Sequence, residues 1–294
     1  MLQIMKKNVI TNLASKAFST VPTKSNLVKI NDNFENKFLT KIIMDNQKQR
    51  NSLGIDMIRA LRESIKQIDL SKCRVLVIGS SCPKVFSAGH NLKEFTHDKG
   101  QNLHKQVFNE FTDLCLTLKN LPVPTIAEVQ GLAAAAGYQL AASCDLIVAS
   151  NKASFSTPGV KFGVFCSTPA VPLSRNVSPK ISLKMLFTGD AVTADEAYTH
   201  GIISEVVNVD NSSENLEKKV FEIARKIEAN SRFIVTLGKK CFYKQIEAPE
   251  LSDAYKIASE VMLDNLMYED TQLGLNAFAT KTKPIWTHSA KKLD

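Results

Sequence analysis

The chain has 294 residues, of which 44% are hydrophobic and 22% charged, and it carries a formal net charge of +8. That is an ordinary soluble globular composition, long enough for one large domain. Its longest apolar stretch, Gly131–Leu146, is broken by Tyr138, Gln139, Ser143 and Asp145, which argues against a membrane span.

The amino terminus stands apart. Before Asp32 there is no acidic residue, whereas Lys6, Lys7, Lys16, Lys24 and Lys29 are all basic. The stretch MLQIMKKNVITNLASKAFSTVP is also hydroxyl-rich and able to form an amphipathic helix, so residues 1–24 read as an organelle transit peptide. It lacks arginine, and a basic tail is the other reading. Without the four lysines of residues 1–24 the net charge falls to +4. Such a mildly basic body suits an anionic small ligand, and no Arg/Lys-aromatic pattern points to nucleic acid.

Further along, short β-type runs alternate with helical patterns. Phe38–Met44, Arg74–Ser80, Thr125–Val129 and Asp145–Ser150 read as strands. Leu53–Ile68, with Leu53, Met57, Ile58, Leu61 and Ile65 on one face, and Asn102–Leu118 read as helices between them. This alternation predicts an α/β fold with a parallel sheet and crossover helices. Thr193 and Glu196 form a capping box, and Gly201 supplies a left-handed stop. After Leu216 only long amphipathic helices follow, to about Ala279. The predicted organisation is therefore an α/β core over 25–215 and a helical region over 216–294. The six scattered cysteines form no C-x-x-C pair, which suggests a reducing compartment. His90, His97 and His104 recur every seven residues without a convergent carboxylate or thiolate, so no metal site is expected.

Two segments can bring main-chain N–H groups into one pocket. KVFSAGHNL (Lys84–Leu92) turns sharply at Ala88-Gly89, and a helix opens near Ala134–Ala136 within GLAAAAGYQLAASCDL. Unpaired N–H donors at a helix start suit a developing oxyanion, and small residues let a substrate carbonyl approach. Tight helix packing would select the same residues, and the pattern alone leaves both readings open.

Four blocks carry a resemblance that favours the first. KVFSAGHNLKEF resembles F-x-A-G-x-D-L of the crotonase (enoyl-CoA hydratase/isomerase) superfamily, and PVPTIAEVQGLAAAAGYQLAASCDLIVAS resembles its glycine-triplet block. FSTPGVKFG and LFTGDAVTADEAYTHGIISEVV resemble the two blocks that follow. The resemblance, from about Val28 to Trp286, implies a crotonase fold: a spiral of β-β-α turns with a carboxy-terminal helical trimerisation region. It implies an acyl-CoA ligand, no other cofactor, a homotrimer or homohexamer, and a place in fatty-acid metabolism in the mitochondrial matrix. It puts the oxyanion-hole amides on His90 and Ala136. It places coenzyme A near Ala88, with Lys48, Arg50, Phe278 and Lys281 as candidate contacts; for each basic side chain a solvated surface charge is the other reading.

The same comparison shows what is missing. The family's hydratases hold a water between two glutamates, one acting as general base and the other as α-proton donor. Those positions fall on Gln139 and Gly159 here. A glutamine amide takes no proton near neutral pH, and glycine offers no side chain. Hydratase activity is therefore expected to be weak or absent, with Gln139→Glu plus Gly159→Glu restoring some of it. His90 is one replacement candidate, as an imidazole beside the hole. Cys166 is another, because a helix start could lower its thiol pKa. Asp145 reads as structural. Two alternatives remain: another CoA-thioester enzyme, of decarboxylase or thioesterase type, or a non-catalytic acyl-CoA-sensing or assembly module.

Overall fold

The computed structural model describes residues 27–32, 38–210 and 214–293; the stretch read as a transit peptide lies outside them. In chain order the strands are β1 (Val28–Asn31), β2 (Leu39–Met44), β3 (Val75–Ser80), β4 (Val85–Ser87), β5 (Thr125–Val129), β6 (Leu132–Ala134), β7 (Leu146–Ser150), β8 (Ser154–Ser156), β9 (Val192–Thr193) and β10 (Glu205–Val207). The helices are α1 (Ile55–Lys66), α2 (Gly100–Asn120), α3 (Ala136–Ala142), α4 (Ser167–Asn176), α5 (Pro179–Thr188), α6 (Ala194–Thr199), α7 (Glu214–Glu228), α8 (Arg232–Ile246), α9 (Leu251–Leu266) and α10 (Glu269–Thr280).

The larger sheet runs β1-β2-β3-β5-β7-β10 and is parallel except at β1. Its central strands are near-continuous apolar runs because both faces are covered. Alternation within them still decides which layer each side chain meets. Leu76, Ile78, Ala127, Val129, Ile147 and Ala149 join the main core with α1 and α2. Val75, Val77, Ile126 and Val148 face the other way, onto Leu216, Val220 and Ala224 of α7. On that second face Lys41 bonds Glu128 at 2.9 Å and Glu217 of α7 at 3.1 Å.

A smaller sheet, β4-β6-β8-β9, lies beside it. Each of β3, β5 and β7 passes after a short turn into β4, β6 and β8, which are mutually parallel. The chain therefore repeats a strand–strand–helix turn, and this repeat brings the ends of β4 and β6 side by side. The capping box at Thr193 and Glu196 is formed at the start of α6, and Gly201 has φ +76°.

The last three helices are tied down by polar anchors rather than by a large apolar seam. Lys239 of α8 donates to Asp145 at 2.7 Å and to the Val123 and Leu118 carbonyls, and Tyr243 donates to the other Asp145 oxygen at 2.7 Å. Asp145 also accepts the Thr125 N–H and hydroxyl. Its part in the fold is thus the structural one its position suggested. Asp270, fully buried, accepts from the Ser231 and Thr287 hydroxyls and from the Thr287 and His288 N–H groups. Burial pushes its carboxyl up, but those donors prevail and hold it below the usual carboxylate range. Around these anchors α8–α10 leave Tyr255, Leu263, Phe242 and Phe278 largely exposed.

Candidate active site

The turn after β4 is held from both sides. Ala88 N–H donates to the Arg50 carbonyl at 3.0 Å, and Leu53 N–H donates to the Gly89 carbonyl at 2.7 Å. Gly89 has φ +90°, and a Cβ there would lie 2.8 Å from the Ala134 carbonyl oxygen and 3.3 Å from the Ala136 nitrogen. Only glycine fits that left-handed, crowded position. No peptide bond among the described residues is cis. Because the Gly89 carbonyl is fixed on Leu53, the His90 N–H must point to the opposite side of that peptide plane.

The second segment arrives through β6. Ala135 takes φ +48° and ψ −117°, outside the usual regions for a residue with a Cβ. Its N–H is held by the Ser156 carbonyl at 2.9 Å, and its own carbonyl accepts the Gln139 N–H at 3.0 Å. The Ala136 N–H consequently points out of the helix start. Among the described residues, neither the His90 nor the Ala136 N–H has a protein partner. A Cβ on Gly137 would lie 2.4 Å from the Ser87 carbonyl oxygen, so α3 packs directly on β4. The glycine- and alanine-rich stretch therefore packs tightly, and among the described residues that packing leaves two main-chain N–H groups without a protein partner near each other.

His90 carries more than an amide. Its Nδ1 lies 2.8 Å from the Leu53 carbonyl oxygen, which can only accept, so Nδ1 bears the proton. Its Nε2 is buried without a partner. The ring sits edge-on to Phe95, Phe108 and Phe111, with centroids 5.5, 5.6 and 5.0 Å away. Burial lowers its pKa below the ordinary histidine value, the Leu53 bond and the Glu94 charge opposing, so the imidazole is neutral at pH 7. Glu94 itself is engaged elsewhere: its carboxylate accepts from Ile55 N–H at 3.0 Å and from the Asn91 amide at 3.0 Å.

Gln139 lies one turn into α3 and is buried. Its Nε2 donates to Cys115 Sγ on α2 at 3.8 Å, and its Oε1 has no partner. Burial pushes the Cys115 thiol to about 11, so that neighbour is uncharged. Gly159 sits in a 3-10 turn, Pro158–Phe162, and its N–H donates to Cys166 Sγ at 3.2 Å. A Cβ at Gly159 would lie 2.4 Å from the Val164 carbonyl oxygen and 2.7 Å from Cys166 Sγ. Two expectations are corrected here. Cys166 lies at the start of α4, yet burial raises its thiol pKa and the Gly159 N–H bond only partly offsets this. The double restoration is also blocked, because backbone occupies the space a side chain at 159 would need. Gln139→Glu is expected to fold. Adding Gly159→Glu is expected to cost about 1–3 kcal/mol further through overpacking, without recovering hydration. Thermal melts and crotonyl-CoA assays of both variants check this; a double variant as stable as the single one, and active, would contradict it.

The remaining sequence candidates divide into two groups. Lys48 and Arg50 lie on the exposed turn after β2, and Arg50 is joined through its carbonyl to Ala88, so these three residues share one rim. Phe278 is 86% exposed and Lys281 follows it at the end of α10. No hydrogen bond or ion pair among the described residues links either to that rim. Reading the sequence missed the left-handed Ala135, the walls around Gly159, the Gln139–Cys115 contact and the Leu53 clamp. Of these, only the first had a local signal, a run of four alanines where a helix start was expected.

The sequence profile described as enoyl-CoA hydratase/isomerase matches residues 35–289. A Xenopus laevis protein named enoyl-CoA hydratase domain-containing protein 3, mitochondrial, is 49% identical over 252 residues, covering 85% of this chain and 84% of its own. The Homo sapiens protein of that name is 46% identical over 251 residues, covering 85% and 81%. The crystal structure of the human protein superposes with a TM-score of 0.82 at 43% identity, over 88% of this chain and all of that one. An enoyl-CoA hydratase from Mycobacterium smegmatis gives 0.82 at 36% identity, over 88% and 98%.

Proposed function

The chain belongs to the enoyl-CoA hydratase/isomerase family and has its crotonase fold, and from that premise we propose that it is a mitochondrial acyl-CoA-binding protein of fatty-acid metabolism whose thioester pocket keeps its main-chain donors and has lost its proton-handling pair. One observation carries this reading: two unpartnered amides, His90 and Ala136, set close together by Gly89, with a buried glutamine one turn into the helix that Ala136 opens.

In this reading the thioester carbonyl accepts from both amides. The donors are fixed before the ligand arrives, so no reorganisation is needed as negative charge develops on oxygen. Gln139 can hold a water or a polar acyl group by hydrogen bonds but takes no proton from it. Coenzyme A lies over the rim of Ala88, Lys48 and Arg50, with Phe278 and Lys281 reaching it from a neighbouring subunit. The apolar side chains left exposed on α8–α10 support assembly into homotrimers or trimer pairs. The mitochondrial placement is supported by the relatives' names and by the basic first 24 residues.

A second reading, another CoA-thioester enzyme of decarboxylase or thioesterase type, is favoured by the bare lone pair on His90 Nε2, which can accept a proton from a held water. The two readings are separated by titrating butyryl-CoA calorimetrically and assaying crotonyl-, malonyl- and acyl-CoA thioesters by product mass. Binding without turnover supports the first, turnover other than hydration supports the second, and absence of binding removes both.

A further inference from the structure

We propose that the His90 side chain is a positioning residue for its own main-chain amide, clamping the 89–90 peptide to Leu53 so that one of the two carbonyl donors stays aimed. The inference rests on the reading above, in which that amide meets a thioester carbonyl.

The clamp has two points on one residue. Leu53 N–H donates to the Gly89 carbonyl at 2.7 Å, and the Leu53 carbonyl accepts from His90 Nδ1–H at 2.8 Å. Leu53 is fully buried, and the helix start that follows it is fixed by Glu94 on the Ile55 N–H. The anchor is therefore rigid. The element being anchored has a weaker hold upstream, where Gly89 N–H reaches Ser87 Oγ at 3.2 Å, and glycine, the residue type with the widest backbone freedom, sits at φ +90° next to the donor. A peptide pinned through its carbonyl alone can still rock about that single bond. The imidazole adds a second attachment on the far side of the same Cα. Its ring is gripped edge-on by Phe95, Phe108 and Phe111, so it cannot swing away from Leu53 without breaking that packing. An aromatic cage alone would be satisfied by phenylalanine; the Nδ1–H bond is what the histidine adds.

The two ring nitrogens can be tested separately. An asparagine Nδ2 stands the same number of bonds from Cβ as histidine Nδ1, so His90→Asn retains the bond to Leu53 while removing Nε2 and the ring. His90→Phe keeps the ring within its cage and removes the bond. The readout is the infrared carbonyl band of bound butyryl-CoA carrying carbon-13 at the thioester carbon. Two aimed donors polarise the carbonyl and shift the band to lower frequency. His90→Asn is expected to keep that downshift. His90→Phe, read at a butyryl-CoA concentration that saturates the variant, is expected to lose about half of the downshift, one of two donors being misaimed. A full downshift in His90→Phe, or its loss in folded His90→Asn, overturns the clamp. An unshifted band in wild-type protein with ligand bound overturns the oxyanion-hole reading itself, and the clamp with it.

Discussion

Crotonyl-CoA offered to the purified protein is expected to be hydrated at least about 10²-fold more slowly than by a family member with both glutamates. A positioned acid or base contributes about 10²–10⁴ in rate, and both positions are empty of carboxylates here. The two contributions are not strictly additive, since groups acting on one water work as a unit. The lower figure is therefore the one to hold the protein to. Beyond the bare lone pair of His90 Nε2, what surrounds the pocket gives little scope for rescue. Glu94 caps α1, Cys115 and Cys166 are neutral thiols whose pKa values burial has raised, and Gln139 donates to one of them. Stopped-flow absorbance at the enoyl band, with enzyme in excess, sets the limit. Hydration within tenfold of such a relative would mean that another acid pair flanks the thioester.

The largest stability effect is expected at Lys239. Its side chain is 8% exposed and that of Asp145 is 15% exposed, so the pair is largely out of water. Burial pulls the Lys239 pKa below the usual lysine range, while Asp145, at 2.7 Å, opposes that shift. Lys239→Ala leaves the Asp145 carboxylate buried with only its Thr125 and Tyr243 donors, and it strips the Val123 and Leu118 carbonyls of theirs. Removing one partner of a buried pair costs about 3–5 kcal/mol. The exposed neighbour Lys240→Ala, on the same helix, should change stability by less than about 0.5 kcal/mol. Urea unfolding at one fixed protein concentration measures both. A Lys239→Ala loss below about 1 kcal/mol would show that α8 is held by something other than this anchor.

Why was one part of this legible in the sequence and another not? The central strands of the larger sheet read correctly because burial on both faces leaves runs such as residues 75–79 of β3 apolar throughout. The capping box at Thr193 and Glu196 is equally local, needing only residues three apart. The short strands of the second sheet left no such mark. Leu132–Ala134 is made of good helix formers, and it is a strand only because β4 and β8 pair with it from either side. Lys239 reads as one more surface lysine on an amphipathic helix until Asp145, 94 residues earlier, is folded beneath it.

The site divides in the same way. Three blocks of family resemblance were enough to put the expected amides on His90 and Ala136 and the expected glutamate positions on Gln139 and Gly159. What sequence could not show is that Gly159 has no room for a side chain, since its walls are a carbonyl five residues on and a thiol seven residues on. Nor could it show that His90 returns to Leu53, 37 residues back, with its ring among three phenylalanines. Local chemistry can be read one residue at a time; the space available to it depends on segments that meet only after folding.

A crystal or cryo-EM map with butyryl-CoA bound puts all of this to one measurement, the position of the thioester oxygen. That oxygen should lie about 2.7–3.1 Å from both the His90 and Ala136 nitrogens, with no carboxylate in reach of the α- or β-carbon. A carbonyl bound away from those amides, or an acid pair flanking the acyl carbons, would contradict it.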